Sequence, residues 1–146
     1  MDGFLLDTNV LSEIRKGSRR ALPEVWKWWI GMQGQELFLS VMTLGEIRKG
    51  IDRLGGRDAL QSLVLERWLG VVKDEFQNRL IEVTPDIAEW WGRLQAIRSL
   101  PEVDALLAAS ALNRDLTLVT RNVADFAGLG IRLLNPFQDP PAPNPL

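Results

Sequence analysis

Several acidic residues of this sequence follow predicted strands or open predicted helices, and these positions make them candidates for shared chemistry. They are Asp7, Glu46, Asp104 and Asp125, with Asn122 as a neutral oxygen donor nearby. Carboxylates that lie close together repel one another and raise each other's pKa unless a cation neutralises them. The set therefore predicts a site for a hard, oxygen-preferring divalent cation, Mg²⁺ or Mn²⁺. Such a site is suited to phosphodiester hydrolysis by an activated water.

Each acid also has a purely structural interpretation. Glu46 stands three residues after Thr43 in the pattern of a capping box, where it would bond the Thr43 backbone. Asp104 suits the positive end of a helix dipole, and Asp125 would close a turn begun by Asn122. Asp7 is the hardest to explain in this way, because a carboxylate that directly follows a buried strand needs partners.

The absence of two residue types restricts the chemistry further. The 146 residues include no His and no Cys. A Ser-His-Asp triad, a two-histidine ribonuclease mechanism, a zinc site with His or Cys ligands and a thiolate nucleophile are therefore excluded. Catalysis has to depend on carboxylates, lysine or hydroxyl groups, which agrees with a carboxylate metal site.

The charge of the chain gives no general attraction to nucleic acid, because 17 basic and 19 acidic residues leave a formal net charge of −2. Individual basic residues near the acids are still candidates for binding phosphates without reading bases. Lys49 and Arg53 share a helical face with Glu46. Arg15 lies in a basic stretch and Arg121 is close in sequence to Asn122. The alternative for each of these four is a solvated surface position.

Short apolar runs alternate with helical segments along the chain, which predicts an α/β fold with a central, mostly parallel sheet flanked by helices. The predicted strands are 4–6, 37–41, 80–83, 116–119 and 131–134. The predicted helices are 10–16, 43–54, 58–78, a segment from Thr84, and one that follows Pro101 and includes 105–112. Parallel sheets bind ligands beyond the carboxyl ends of their strands, where the acids fall.

Three of the six Trp residues crowd into a short segment, as Trp26, Trp28 and Trp29. Trp26, Trp29 and Ile30 would share one helical face, and the usual place for such a face is the core. Clustered aromatics early in a small domain also suit a groove for a protein partner.

Five motifs in order along the chain resemble those of PIN-domain ribonucleases, and more narrowly the VapC- or FitB-type toxins of bacterial toxin–antitoxin pairs. The motifs are Phe4–Asn9, Leu39–Glu46, Asp104–Ala109, Thr120–Phe126 and Leu134–Phe137. The resemblance implies a PIN-like three-layer α/β sandwich. It also implies that Asp7, Glu46 and Asp104 hold Mg²⁺, with Mn²⁺ as a possible substitute. Asn122 or Asp125 would complete the set.

The same resemblance implies roles for other residues and for partners. Thr8 and Thr120 match hydroxyl positions that orient ligands or water beside the metal. The chain is expected to be an endoribonuclease that cuts tRNA or rRNA and inhibits translation until a VapB- or FitA-like antitoxin binds it, and to form a homodimer. The alternatives are a PIN-like DNA nuclease and a non-catalytic metal-binding regulatory or scaffold domain. A haloacid-dehalogenase-like phosphatase is disfavoured because Asn9 replaces its second Asp.

The chain is expected to form one PIN domain over residues 1–138, followed by a proline-rich tail over 139–146. The sequence has no run of about 20 apolar residues, and a strand-like segment follows Met1 without a basic region or cleavage site, so a signal peptide is not expected. A cytoplasmic location without membrane attachment is the resulting expectation.

Overall fold

The computed structural model describes residues 3–138 and the backbone of 143–144. The strands within these ranges are β1 Gly3–Leu6, β2 Glu36–Ser40, β3 Leu80–Ile81, β4 Thr117–Val119, β5 Leu133–Leu134 and β6 Pro143–Asn144. The α-helices are α1 Thr8–Arg15, α2 Pro23–Gly31, α3 Val41–Leu54, α4 Ala59–Phe76, α5 Pro85–Ile97, α6 Glu102–Arg114 and α7 Val123–Phe126. The five predicted strands are confirmed, although β3, β4 and β5 are shorter than predicted.

The strands form one sheet in the order β3-β2-β1-β4-β5-β6. The first five strands of this order are parallel, and β6 pairs antiparallel with β5. The central strand β1 pairs with β2 through Leu5 and Phe38 and with β4 through Leu5 and Leu118. Because the parallel strands run in one direction, the residues that follow β1, β2 and β4 all emerge at one edge of the sheet.

Helices cover both faces of the sheet, and adjacent strand residues point into two separate cores. Leu5 and Leu118 are fully buried with residues of α5 and α6, such as Leu94 and Leu107. The next residues, Leu6 and Val119, are buried on the other face with residues of α1 to α4. The predicted three-layer α/β sandwich is confirmed, and this alternation holds the end of β1 rigidly.

The start of α3 differs from the sequence prediction. Thr43 was expected to cap the helix, but Ser40 is its N-cap, and the Ser40 hydroxyl accepts a hydrogen bond from the Met42 backbone N–H at 3.0 Å. Thr43 lies inside the helix and is fully buried. The capping-box interpretation of Glu46 is therefore wrong. Glu46 lies in the second turn, where its side chain is available for other contacts.

The predicted ends of the other helices agree better with the structure. Gly55 ends α3 with a φ of 50°, a left-handed conformation that glycine adopts readily. A 3-10 turn, Gly55–Asp58, then leads into α4. Thr84 caps α5 as predicted, because its hydroxyl accepts a hydrogen bond from the Ile87 backbone N–H at 3.2 Å.

For α2, the structure favours one of the two interpretations of the face that carries Trp26, Trp29 and Ile30. Val25 and Trp28 are buried in the core, whereas Trp26 and Trp29 are only half-buried and Ile30 is 49% exposed. Trp28 belongs to the core cluster that also contains Leu37 of β2 and Val10 of α1. Trp29 is only partly covered by this cluster and lines a groove, which favours the partner-groove alternative.

The proposed tail at 139–146 lies outside the described residues, apart from the backbone of 143–144 in β6. The domain limits therefore stay a prediction. Across the described part of the chain, no helix is both long and apolar enough to span a membrane.

Candidate active site

Four carboxylates come together beyond the carboxyl ends of the strands. We call this set, Asp7, Glu46, Asp104 and Asp125, the acidic rim. Asp7 directly follows β1, Glu46 is on the helix after β2, Asp104 is in the first turn of α6, and Asp125 is in α7 after β4. Each of the other three charges raises the pKa of Asp104, which shows that the structure brings the four acids within electrostatic reach of one another.

Asp7 is held more firmly than the other acids. Its side chain is 5% exposed, and one carboxylate oxygen accepts a hydrogen bond from the Thr8 backbone N–H at 2.7 Å. The other oxygen accepts hydrogen bonds from the Thr120 hydroxyl at 2.8 Å and from the Asn9 amide at 3.3 Å. Burial raises the pKa of Asp7, while these hydrogen bonds oppose the rise. The carboxylate is therefore fixed in one orientation before any ligand binds.

Glu46 is tied to α1 through a neighbour of Asp7. The Thr8 hydroxyl donates a hydrogen bond of 2.5 Å to a carboxylate oxygen of Glu46. Thr8 thus contacts one acid through its backbone and a second through its side chain. Thr120 also makes two contacts. Its hydroxyl donates a hydrogen bond to Asp7 and accepts one from the Asn122 backbone N–H at 3.0 Å. The two threonine hydroxyls thus each donate a hydrogen bond to one of the acids, and their role in orienting ligands or water stays a prediction.

Asp104 has the most perturbed pKa of the rim. Partial burial and the charges of Asp7, Glu46 and Asp125, in that order, raise its pKa to about 6. It lies at the N-terminal end of α6, where the helix dipole favours a carboxylate. Asp104 thus combines a position that favours its charge with burial and like charges that oppose it.

Asn122 and Asp125, the two candidates for the fourth metal ligand, have different surroundings in the structure. Asp125 contributes to the charge around Asp104. The Asn122 carbonyl accepts a hydrogen bond from the Asp125 backbone N–H at 3.0 Å, so Asn122 opens the turn that carries Asp125. Both residues are exposed. The structural interpretation of this turn and a functional role for Asp125 are therefore compatible.

The rim fits a partly hydrated ion better than an enclosed one. Within the described residues, no three Asp or Glu side chains are placed to enclose a metal ion together. Mg²⁺ usually binds proteins through one or two carboxylates and retains several waters. The rim supplies hard oxygen donors and a concentration of negative charge that a divalent cation would relieve.

Two asparagines that were not predicted as site residues hold the strand ends together. Asn9 accepts a hydrogen bond from the Arg121 backbone N–H at 3.3 Å and donates one to Asp7. Asn135 donates to the Arg121 carbonyl at 3.4 Å and accepts from the Phe137 backbone N–H at 2.9 Å. Both lie in motifs that carried the family resemblance, but sequence spacing alone does not reveal these contacts.

Arg98 is a further residue that sequence reasoning missed. Its guanidinium donates hydrogen bonds to the Asp125 carbonyl at 2.5 Å and to the Ala127 carbonyl at 3.1 Å. The loop that carries Arg98 is itself held by Gln95, whose side chain bonds both the N–H and the carbonyl of Leu100. This loop leads into α6, so it joins the helix of Asp104 to the turn of Asp125.

The four predicted phosphate-binding residues are distributed over α1, α3 and the segment after β4. Lys49 and Arg53 are exposed on α3, and Arg121 is exposed at the end of β4 with its guanidinium 4.7 Å from the centre of the Phe137 ring. Arg15 is the last residue of α1, and its guanidinium lies 5.5 Å from the centre of the Trp68 ring. Arg15 belongs to a different surface from the rim.

That surface is an open groove of about 310 Å³ between α1, α2 and α4, which we call the apolar groove. It is lined by Ile14, Arg15, Trp29, Trp68, Val71 and Glu75, among others. Trp29 and Trp68 are half-buried and Val71 is 57% exposed. Apolar surface of this kind, bordered by charged groups, is typical of a protein-binding site.

Comparison with known proteins relates this arrangement to a family. Residues 4–129 match the family model of the PIN domain. The chain is 30% identical to the plasmid stability protein StbB of Pseudomonas syringae pv. tomato, with 92% of this chain and 99% of StbB covered. It is 26% identical to the VapC ribonuclease Y4jK of Sinorhizobium fredii, with 92% and 98% covered.

Solved structures show the same fold. The crystal structure of FitAcB from Neisseria gonorrhoeae matches with a TM-score of 0.79 at 25% identity, covering 92% of this chain and 99% of that one. A toxin–antitoxin complex from Klebsiella pneumoniae matches with a TM-score of 0.68 at 26% identity, covering 90% and 96%. The likeness therefore covers at least nine-tenths of this chain in both structures.

Proposed function

The chain belongs to the PIN domain family, and from this premise we propose that it is the toxin of a toxin–antitoxin pair and a metal-dependent endoribonuclease. The observation that carries the proposal is the acidic rim, four carboxylates gathered beyond the carboxyl ends of β1, β2 and β4. Support comes from the relatives, one of which is named a ribonuclease and one of which was solved as a toxin–antitoxin complex. Inhibition of translation through tRNA or rRNA is part of the proposal.

Asp7, Glu46 and Asp104 would hold Mg²⁺, with Asp125 or Asn122 completing the set and Mn²⁺ as a substitute. When bound, the ion supplies charge neutralisation at the phosphate and activation of a water. The protein's own contribution is orientation. Thr120 and the Thr8 backbone fix the Asp7 carboxylate, and the Thr8 hydroxyl fixes Glu46.

The products follow from this arrangement. With neither His nor Cys in the sequence, attack by the RNA 2′-hydroxyl has no imidazole base to assist it. Hydrolysis by water at the rim would leave a 5′-phosphate and a 3′-hydroxyl. Lys49 and Arg53 are exposed on α3, which carries Glu46, and Arg121 is exposed between β4 and the turn of Asp125, so these residues are suited to hold phosphates of the RNA.

We assign the apolar groove to the antitoxin. Its aromatic walls suit the apolar face of a helix or an extended tail, and Arg15 and Glu75 at its border can pair with charges on that segment. Arg15 is therefore assigned to contact with the antitoxin and not to RNA binding. A homodimer is also proposed, because Leu60 on α4 and Ile97 on α5 are 74% and 70% exposed and lie outside the groove.

The direct test is incubation of purified, antitoxin-free protein with total bacterial RNA and Mg²⁺ or Mn²⁺, followed by mapping of the cut sites and end groups. We expect discrete cuts with 5′-phosphate ends that vanish with EDTA and in Asp7→Asn. Recovery of 2′,3′-cyclic phosphates would contradict the mechanism. Single-stranded DNA of the same sequence serves as the parallel substrate, and cleavage of DNA alone would establish the DNA-nuclease alternative. Absence of any cleavage by folded protein would favour the scaffold alternative.

A further inference from the structure

A small depression shares one wall with the acidic rim. Its volume is about 250 Å³, and it lies between α3 and the start of α6. It is lined by Met42, Gly45, Glu46, Lys49 and Val103. We call it the Gly45 depression. Glu46 belongs both to this depression and to the rim, so a group bound here would lie next to the reacting phosphate.

The walls of the depression suit a flat, largely apolar group. Met42 and Val103 are half-buried and present a thioether and a branched aliphatic side chain. Methionine packs adaptably against aromatic rings. Met42, Glu46 and Lys49 recur at spacings of four and three residues, so they share one face of α3 with Gly45.

Gly45 leaves the backbone bare at the centre of this face. Glycine is among the poorest helix formers, and Gly45 lies well inside α3. A Cβ at this position would meet no heavy atom within 4 Å, so packing within the chain does not require glycine here. Glycine does keep the depression open and allows a ligand to approach the helix closely.

The depression also has a cation at its border. Lys49 is exposed and takes part in no ion pair or hydrogen bond with the residues that the structure describes. Arg48, its neighbour, is by contrast occupied by Glu66 at 2.5 Å and by Asp52 at 3.4 Å. Lys49 thus remains available to a phosphate beside the depression.

We propose that the Gly45 depression binds the base of a nucleotide adjacent to the scissile phosphate, while Lys49 contacts that nucleotide's phosphate. The proposal rests on the proposed function and names a subsite of it. The two apolar faces of a base can pack against Met42 and Val103. The phosphate of the same nucleotide carries the negative charge that pairs with the Lys49 ammonium. Because the walls contribute mainly van der Waals contact, the subsite should bind any base and discriminate little between the four bases.

The test uses two leucine substitutions in the same helix. Gly45→Leu fills the depression, whereas Gly50→Leu is the matched control, because Gly50 is also exposed on α3, lies outside the depression and would place its Cβ in open space. Both variants should melt a few degrees higher than the wild type, since leucine is the better helix former. A shared rise in Tm removes misfolding as an explanation for any loss.

The substrates are RNA oligonucleotides of one sequence in which a single abasic site is placed at each position in turn, including the positions that flank any mapped cut. We expect one abasic position to lower kcat/KM of the wild type and of Gly50→Leu about tenfold. In Gly45→Leu, kcat/KM for the intact and abasic RNA should become equal. Binding of the same oligonucleotides is measured in parallel by fluorescence anisotropy in EDTA, and the same pattern is expected for the dissociation constants.

The binding measurements separate the two proposals. If the wild type discriminates against one abasic site in binding but cuts no RNA, the subsite stands and the nuclease assignment fails. If the wild type cuts RNA but Gly45→Leu retains the abasic discrimination of Gly50→Leu, the subsite is wrong and the nuclease assignment stands. If every abasic RNA is bound and cut like the intact one, the subsite is likewise wrong. Failure of the wild type both to bind and to cut RNA overturns both.

Discussion

The acidic rim and the apolar groove stand at opposite ends of the same short helix. Asp7 caps the N-terminus of α1 and Arg15 is its last residue, about 12 Å away at 1.5 Å per residue. At the rim, hydrogen bonds from Thr8, Asn9 and Thr120 fix carboxylates that repel one another. At the groove, the half-buried ring of Trp68 faces the guanidinium of Arg15.

The difference lies in what each region lacks. The rim has its polar geometry already in place and an excess of negative charge, so a cation would stabilise it. The groove has little fixed polar structure and an excess of exposed apolar area, so an apolar protein surface would stabilise it. Ligand binding at the rim should therefore depend on substitutions in the rim and little on substitutions in the groove, and the converse should hold for binding at the groove.

The largest expected effect is the loss of cleavage on removing one rim charge. Asp104→Asn should lower RNA cleavage at least about 100-fold, because a carboxylate that holds the ion is lost. The same substitution should raise the Tm of the metal-free protein, because it removes burial of a charge that Asp7, Glu46 and Asp125 repel. Cleavage rates and thermal melts in EDTA measure the two effects.

Glu102→Gln is the matched control for that variant. Glu102 is an exposed acid in the same helical turn, and it is not among the charges that raise the pKa of Asp104. It should leave both cleavage and Tm nearly unchanged. Wild-type cleavage by Asp104→Asn would remove Asp104 from the site and weaken the contrast between rim and groove.

The next largest effect belongs to the groove. Val71→Glu places a charge on an exposed side chain of the groove wall, and it should weaken antitoxin binding at least about 30-fold because that charge would be buried without a partner. RNA cleavage by the free toxin should not change, since Val71 is on α4, which carries none of the rim acids. Titration calorimetry with the purified cognate antitoxin gives the dissociation constant.

Val83→Glu is a suitable control for the groove, because Val83 is 41% exposed and does not line it. If Val71→Glu and Val83→Glu bind the antitoxin equally well, the antitoxin does not occupy the groove. If Val71→Glu also abolishes cleavage, the rim and the groove are coupled and do not act independently.

A smaller effect should follow from loosening the turn that carries Asp125. Arg98→Ala removes the two hydrogen bonds to the Asp125 and Ala127 carbonyls, and we expect about a tenfold fall in kcat with little change in KM. Arg98→Lys should restore part of the rate, because an ammonium can reach one carbonyl. Arg93→Ala is the control, since Arg93 lies on α5, the helix that precedes Arg98, but pairs with Glu89 at a distance of 3.5 Å.

These residues also show how far the sequence could lead. The ends of β1 and β4 were predictable, because apolar runs that stop at polar residues mark buried strands, and parallel strands bring those ends to one edge. The start of α3 was not, because Ser40 and Thr43 both match a capping residue and the choice depends on where β2 ends.

Hydrogen bonds between segments that are distant in sequence could not be predicted for a different reason. The hydrogen bond between Thr120 and Asp7 spans 113 residues, and those from Arg98 span 27 and 29. The Thr120 contact could be expected from the family resemblance. The Arg98 contacts had no such signal, because arginine at a helix end is usually solvated. The face of α2 stayed open between core and groove because aromatic content does not reveal which side of a helix is buried.

The smallest effect is a pH dependence that only the rim should show. Burial and like charges raise the pKa of Asp104 from 3.8 to about 6. Between these values the folded chain keeps a proton on Asp104 that the unfolded chain has lost. The free energy of unfolding should therefore fall as the pH rises from about 4 to about 6 in EDTA.

Asp104 is partly exposed, so solvent screening should reduce its contribution to about 1 kcal/mol. Urea unfolding at pH 4, 5, 6 and 7 isolates this contribution as the difference between the wild type and Asp104→Asn. Saturating Mg²⁺ should abolish the fall, because the cation stabilises the ionised rim, whereas Val71→Glu in the groove should keep it. A difference that stays constant from pH 4 to 7 would show that the rim does not carry the mutual repulsion on which its metal-binding role depends.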